Sequence, residues 1–182
     1  MNYIVRILIA RYFGPNDYGT ISIGLAVYSA AVTVATLGLA DGTTRWISKN
    51  LNKKRKIKGI IFSSLEISLP VSILLTFLLF FFSENVSLLL NEPGLVEILK
   101  ILSFGIPFGV LTYISTSGIR GLQNTLYKVY SYDVSWPAFK VLFTGTIILI
   151  GYSLNEVAIA HVFSILITSL ISIYLLQKII PI

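Results

Sequence analysis

Long uncharged stretches recur along this chain, separated by short polar links. Residues 21–40 are twenty uncharged positions, residues 59–83 carry Glu66 as their only charge, and residues 101–119 are nineteen uncharged positions. Residues 141–155 are uncharged and extend backwards through 130–140 as one helix, and residues 157–177 hold only the neutral His161. Each stretch reaches or approaches the ~20 residues that carry a helix across about 30 Å of hydrocarbon. A segment in lipid must satisfy its own backbone hydrogen bonds, so helix is the expected conformation.

The N-terminal stretch is shorter and carries Arg6 and Arg11. No small-residue cleavage site follows it, and Gly14-Pro15-Asn16-Asp17 reads as a turn, which argues against a signal peptide. It reads instead as the outer end of a first helix that starts upstream. The pattern therefore predicts an all-α, polytopic transmembrane helix bundle of about six helices, at about 1–13, 17–40, 59–82, 95–117, 129–151 and 157–177, in a single transmembrane unit spanning 1–182.

Composition agrees. Hydrophobic residues make up 55% of the 182 positions and charged residues 12%, about half the soluble average. The mean hydropathy is +0.83. The absence of cysteine excludes a disulfide framework and thiolate metal sites, and one histidine argues against a histidine-based metal site. No cofactor is expected. Neither a phosphate-binding glycine loop nor a nucleophile elbow is present, so no catalytic residue is assigned and an enzyme is not expected.

The net charge is +6, and seven of the fourteen basic residues fall between Arg45 and Lys58. In a soluble protein such a run would point to nucleic acid; in a membrane chain it marks a cytoplasmic loop or an anchor for anionic lipid headgroups. Arg120 and Lys128 follow the fourth helix and Lys178 ends the sixth, whereas the links at Pro15, Asn91 and Asn155 hold no Lys or Arg. This alternation places both termini in the cytoplasm.

The informative residues are the polar ones within the helices. His161, Ser164, Thr168 and Ser172 share one face of the sixth helix, and Ser22, Ser29, Thr33 and Thr36 share one face of the second. Such faces either line a water-filled cavity or pack helices together. Asp133, Trp136, Pro137, Lys140 and Thr144 run along the fifth helix, and Glu66 lies beside Ser63 and Pro70 in the third. A charge at mid-bilayer costs at least ~2.5 kcal/mol and faces water or a partner. Lys140, about ten residues into its helix, stands out most. Asp133 lies nearer the cytoplasmic end, either in the cavity or at the interface. Gly105 and Gly109, with Pro107 between them, suit close helix contact or a kink.

Three motifs carry a family resemblance. Ala10-Arg11-Tyr12-Phe13-Gly14-Pro15-Asn16-Asp17-Tyr18-Gly19 resembles the AR-x-x-GP-x-x-YG junction of polysaccharide (O-antigen type) flippases, of the multidrug/oligosaccharidyl-lipid/polysaccharide exporter superfamily. Leu37-Gly38-Leu39 followed by Thr44-Arg45-Trp46-Ile47 resembles the family's LGL…R-x-I at the inner end of the second helix. Gly118-Ile119-Arg120-Gly121 resembles its G-x-x-RG after the fourth.

The resemblance implies a transporter of two pseudo-symmetric six-helix lobes, of which this chain would be the N-terminal one. It would need a second lobe or a second copy. It also implies a central cavity whose basic residues attract the sugar-pyrophosphate head of a lipid-linked oligosaccharide at the cytoplasmic (plasma) membrane. Arg11, Arg45 and Arg120 match motif positions; Lys140 rests on the physical argument alone. Arginine suits a pyrophosphate because its planar fork engages two oxygens at once. With Glu66, Asp133 and His161, these are the candidate substrate-binding or cavity residues.

The leading expectation is thus part of a flippase for polysaccharide biosynthesis, with no nucleic-acid partner. One alternative is a drug/cation antiporter of the same superfamily, centred on Glu66. Others are a membrane-embedded glycosyltransferase, for which no outer loop is long enough, and an inactive fragment or assembly partner.

Overall fold

The computed structural model describes residues 2–150 and 153–180, the side chains of residues 2–6 and 8 excepted. Among these residues every regular element is helical. α1 (Asn2–Phe13) passes into α2 (Pro15–Thr36) through the single residue Gly14. Gly14 sits at φ 90°, ψ 174°, which glycine adopts without steric cost. Pro15 occupies the first helical turn, where a missing amide hydrogen leaves no bond unmade. The GP pair is therefore the means by which the chain turns so tightly.

α2 does not continue to residue 40. It ends at Thr36, and Leu37 (φ 48°) and Gly38 (φ 72°) both take left-handed conformations before α3 (Leu39–Ser48) starts in a new direction. The expected helix over 17–40 is thus two elements, and the LGL motif is the corner between them. α3 is amphipathic, burying Ala40, Thr43 and Ile47 and exposing Arg45 and Trp46. After a short basic link comes α4 (Lys54–Phe81), which runs unbroken through Pro70. The short α5 (Ser83–Leu89) follows.

α6 (Leu95–Ser103) and α7 (Ile106–Gly121) are bent 50° from each other, where a single helix over 95–117 was expected. Pro107 explains the break, because it has no N–H to donate to the carbonyl of Ser103 four residues earlier. That carbonyl lies 3.1 Å from Thr76 Oγ1 of α4, whose one proton it shares with the Ser72 carbonyl at 2.9 Å.

α8 (Thr125–Lys128), a π-helical turn (Val129–Val134) and α9 (Ser135–Ile150) form one continuous rod, and α10 (Leu154–Ile179) closes the bundle. α2, α4, this rod and α10 are each long and apolar enough to cross a membrane, and the bent α6–α7 pair makes a fifth crossing if it counts as one span. α1, with 12 residues, is about 18 Å long and falls short of the ~30 Å needed.

The bundle has two apolar clusters. The larger joins Ile21, Tyr28 and Val32 of α2 to Ile98, Leu102, Ile106, Val110 and Ile114 of α6–α7 and Ala158 of α10. The smaller gathers Ile47, Ile57, Ile61, Ile119, Leu176 and Ile180 at the end of the bundle where α3, α7 and α10 meet. This is also the basic end, carrying Arg45, Lys49, Arg120, Lys128 and Lys178.

Glycines set the close approaches of α7. A Cβ on Gly109 would lie 2.6 Å from the Tyr28 hydroxyl and 2.8 Å from Val32 of α2. One on Gly121 would lie 2.8 Å from Ile47 Cβ and 2.9 Å from the Thr44 carbonyl of α3.

Hydroxyl groups serve packing across much of the bundle. Thr43 meets Ser64 at 2.8 Å, Thr44 donates to the Ser117 carbonyl at 3.0 Å, and Ser172 donates to the Ser131 carbonyl at 3.1 Å. Ser164 and Thr168 of α10 are buried and donate to carbonyls of their own helix. The lower part of the α10 stripe is therefore a helix-packing face.

Candidate functional site

His161, at the upper end of that stripe, has different surroundings. It borders a cleft of about 350 Å³ lined by α1 (Ile9), α2 (Tyr18, Ile21, Ser22, Leu25, Ala26, Tyr28, Ser29), α9 (Trp136, Lys140) and α10 (His161). The imidazole is only 4% exposed, and neither ring nitrogen has a hydrogen-bond partner among the described residues. The Trp136 indole N–H is in the same condition. Buried polar atoms are nearly always satisfied, and the hydroxyls of Ser68, Ser115, Thr116 and Thr144, outside the lining of this cleft, share the condition.

The geometry around these atoms is aromatic. The His161 ring meets Tyr28 edge to face at 5.2 Å between centroids and Trp136 at 6.0 Å. Trp136 in turn stacks on Tyr132 at 5.1 Å, and Tyr132 lies 6.0 Å from Tyr113. Lys140 Nζ stands 5.6 Å from the centre of the Trp136 ring. Lys140 and Trp136, four residues apart on α9, face the cleft together as helical spacing requires. Lys140, Trp136 and His161 thus line one concave surface whose remaining walls are mostly apolar. It can bind a negatively charged or hydroxyl-rich group.

The π turn decides which face of α9 this is. Side chains also meet five residues apart around it, in the Lys128–Asp133 ion pair and in the hydrogen bond from Ser135 Oγ to the Tyr130 carbonyl. It lies just before Pro137, whose ring and missing N–H disrupt a regular turn. Asp133, which runs along the same helix as Trp136 and Lys140, does not line their cleft. It is exposed, paired with Lys128, and lines a second cleft of about 210 Å³ with Tyr113, Thr116, Arg120 and Tyr132.

The structure therefore brings together Lys140 and His161 in one cleft and Arg120 and Asp133 in another, with the Tyr132–Trp136 stack between them. Arg120 also donates to Ser117 Oγ at 3.2 Å. Arg11 and Arg45 are exposed at the ends of α1 and α3, outside both clefts. Glu66 is exposed on the outer face of α4 beside Ser63 and Pro70, also outside both. The side chain of Arg6 lies outside the described residues, as do residues 151–152 of the last link and residues 181–182.

Tyr28 escaped the sequence reading because a lone tyrosine in an apolar helix resembles any core aromatic. Its signal was its place one turn from Gly24 in the helix facing the Gly105/Gly109 pair. Among the described residues no group of three or more His, Cys, Asp or Glu is close enough to hold a metal ion.

No curated protein and no solved structure gives a significant match to the chain. The family model described as polysaccharide biosynthesis protein matches residues 1–180. The chain is thus an integral membrane protein that belongs to the polysaccharide biosynthesis protein family, the polysaccharide/O-antigen flippases of the multidrug/oligosaccharidyl-lipid/polysaccharide exporter superfamily.

Proposed function

We propose that this chain forms one lobe of a transporter that moves a lipid-linked oligosaccharide across the cytoplasmic membrane for polysaccharide biosynthesis. A second lobe or a second copy completes it, and both termini of the chain face the cytoplasm. The observation that carries this reading is the convergence of Lys140, Trp136 and His161 in a cleft set into an otherwise apolar bundle. A sugar-pyrophosphate head needs a cation for its charge and aromatic faces for its rings, and the cleft supplies both. Family membership supports a transporter rather than an enzyme.

The antiporter reading needs a carboxylate in the cavity to take up H⁺ or Na⁺. Glu66 was its centre, and Glu66 stands outside the cleft, whose lining among the described residues includes a lysine and a histidine but no Asp or Glu. That arrangement favours an anionic substrate.

The test is Lys140→Leu in the complete transporter, reconstituted in vesicles with a labelled undecaprenyl-pyrophosphate saccharide. Loss of flipping by tenfold or more, with normal membrane insertion, supports the assignment. Flipping at the normal rate sinks it.

A further inference from the structure

The basic end of the bundle holds a groove that the transport reading does not use. It lies between the exposed side of α3 and the first turns of α4, has a volume of about 510 Å³, and is lined by Trp46, Asn50, Lys56, Gly59, Ile60 and Ser63. Trp46 is 60% exposed on one wall. Lys49 Nζ stands 5.9 Å from the centre of its indole ring, which brings a second cation to the mouth. Asn50 is anchored by donating to the Trp46 carbonyl at 2.9 Å. The floor is open at Gly59, where a Cβ would meet nothing within 4 Å.

The chemistry of this groove changes along its length. At the mouth, no carboxylate lies in the sequence between Asp41 and Glu66, while Lys49, Lys53, Lys54, Arg55, Lys56 and Lys58 all do. Further along α4 the exposed face is mixed, with Phe62 69% and Ile67 50% exposed beside exposed Ser63 and Glu66. An indole stands at the boundary, the position that tryptophan prefers between water and hydrocarbon. Cations beside an amphipathic ring match the phosphate and glycerol end of a phospholipid.

We propose that the α3–α4 groove is a binding site for an anionic phospholipid, with Lys56 and Lys49 on the phosphate and Trp46 against the glycerol region. The site differs from general attraction between a basic loop and an anionic leaflet because Trp46, Asn50 and Lys56 converge on one shallow groove. Only the lysines that reach the groove take part in it. Lys56 lines it, whereas Lys54, two residues away on the same helix, points to another side.

Native mass spectrometry of the purified protein, titrated with phosphatidylglycerol, phosphatidylcholine and glycerol phosphate, reads the affinity of the first bound lipid. Phosphatidylglycerol should bind in preference to phosphatidylcholine. Lys56→Gln should weaken it about fivefold, the worth of one cation near a headgroup, while Lys54→Gln changes it little. Gly59→Leu fills the floor without altering charge and should abolish the preference. Equal losses in the two lysine variants, or an unchanged preference in Gly59→Leu, would overturn the site in favour of diffuse attraction. Displacement of the lipid by glycerol phosphate would overturn it in favour of a soluble anion.

Discussion

Tyr28 and His161 meet edge to face, 5.2 Å apart and at 84°. The Tyr28 hydroxyl also donates to the Gly105 carbonyl at 3.3 Å, directly at the α6–α7 break. One side chain of α2 therefore ties the α6–α7 bend to the wall of the cleft. Tyr28→Phe keeps the ring contact and loses one long hydrogen bond, so it should cost less than about 1 kcal/mol. Tyr28→Ala leaves a cavity and should cost about 3–5 kcal/mol. Chemical unfolding in micelles, followed by far-UV circular dichroism, separates the two; equal losses would show that the hydroxyl, not the ring, holds the helices.

Trp136 offers the face on which Lys140 rests and the link from one cleft to the other. Trp136→Leu should reduce transport about tenfold, within the range of a desolvated cation–π contact. Trp136→Phe retains an aromatic face and should stay within about threefold. Initial flipping rates in vesicles measure both. A Phe variant as weak as Leu would mean that the indole N–H, not the ring face, matters.

Gly121 is where α7 touches the α3 backbone. Gly121→Ala should destabilise by about 1–3 kcal/mol, because the Thr44 carbonyl and the β-carbon of Ile47 have little room to move. Gly42→Ala is the matched control. Nothing lies within 4 Å of its added carbon, and helix propensity should make it neutral or slightly stabilising. Unfolding midpoints of the two variants that coincide would contradict the tight α3–α7 contact.

The Ser103 carbonyl gives a coupled test. Thr76→Val leaves it without its donor, at a cost of about 0.6–1.7 kcal/mol in a membrane. Pro107→Ala restores an N–H four residues on and lets α6 and α7 straighten. In that background Thr76→Val should cost clearly less. A double-mutant cycle with no coupling would detach the bend from the proline.

Much of the fold was legible because bilayer thickness writes itself directly into the sequence as uncharged runs. The corners were less legible. Leu37-Gly38-Leu39 is apolar and passes for helix, yet the chain turns there on a leucine at φ 48°. The family motifs were readable as patterns but not as roles. Gly14 makes a turn, and Gly118 and Gly121 let α7 approach its neighbours, whereas of the motif arginines, all at or near helix ends, Arg120 lines a cleft and Arg11 and Arg45 do not. Lys140 was found by the cost of burying its charge. That it and Asp133 line different clefts was hidden, and a wheel of constant pitch has no place for the wide turn at 129–134.

That turn has a consequence for how this lineage can vary. A wide turn holds one residue more than a regular one, and each residue rotates a helix by about 100°. Losing one codon among those for residues 129–134 would swing Trp136 and Lys140 out of the cleft and present the neighbouring side chains of α9 in their place. The lining could be exchanged wholesale without altering any residue that forms it. Gaps of a single position here would then change the lining of the cleft more than several substitutions, and a comparison of sequences that counts only replacements would overlook them.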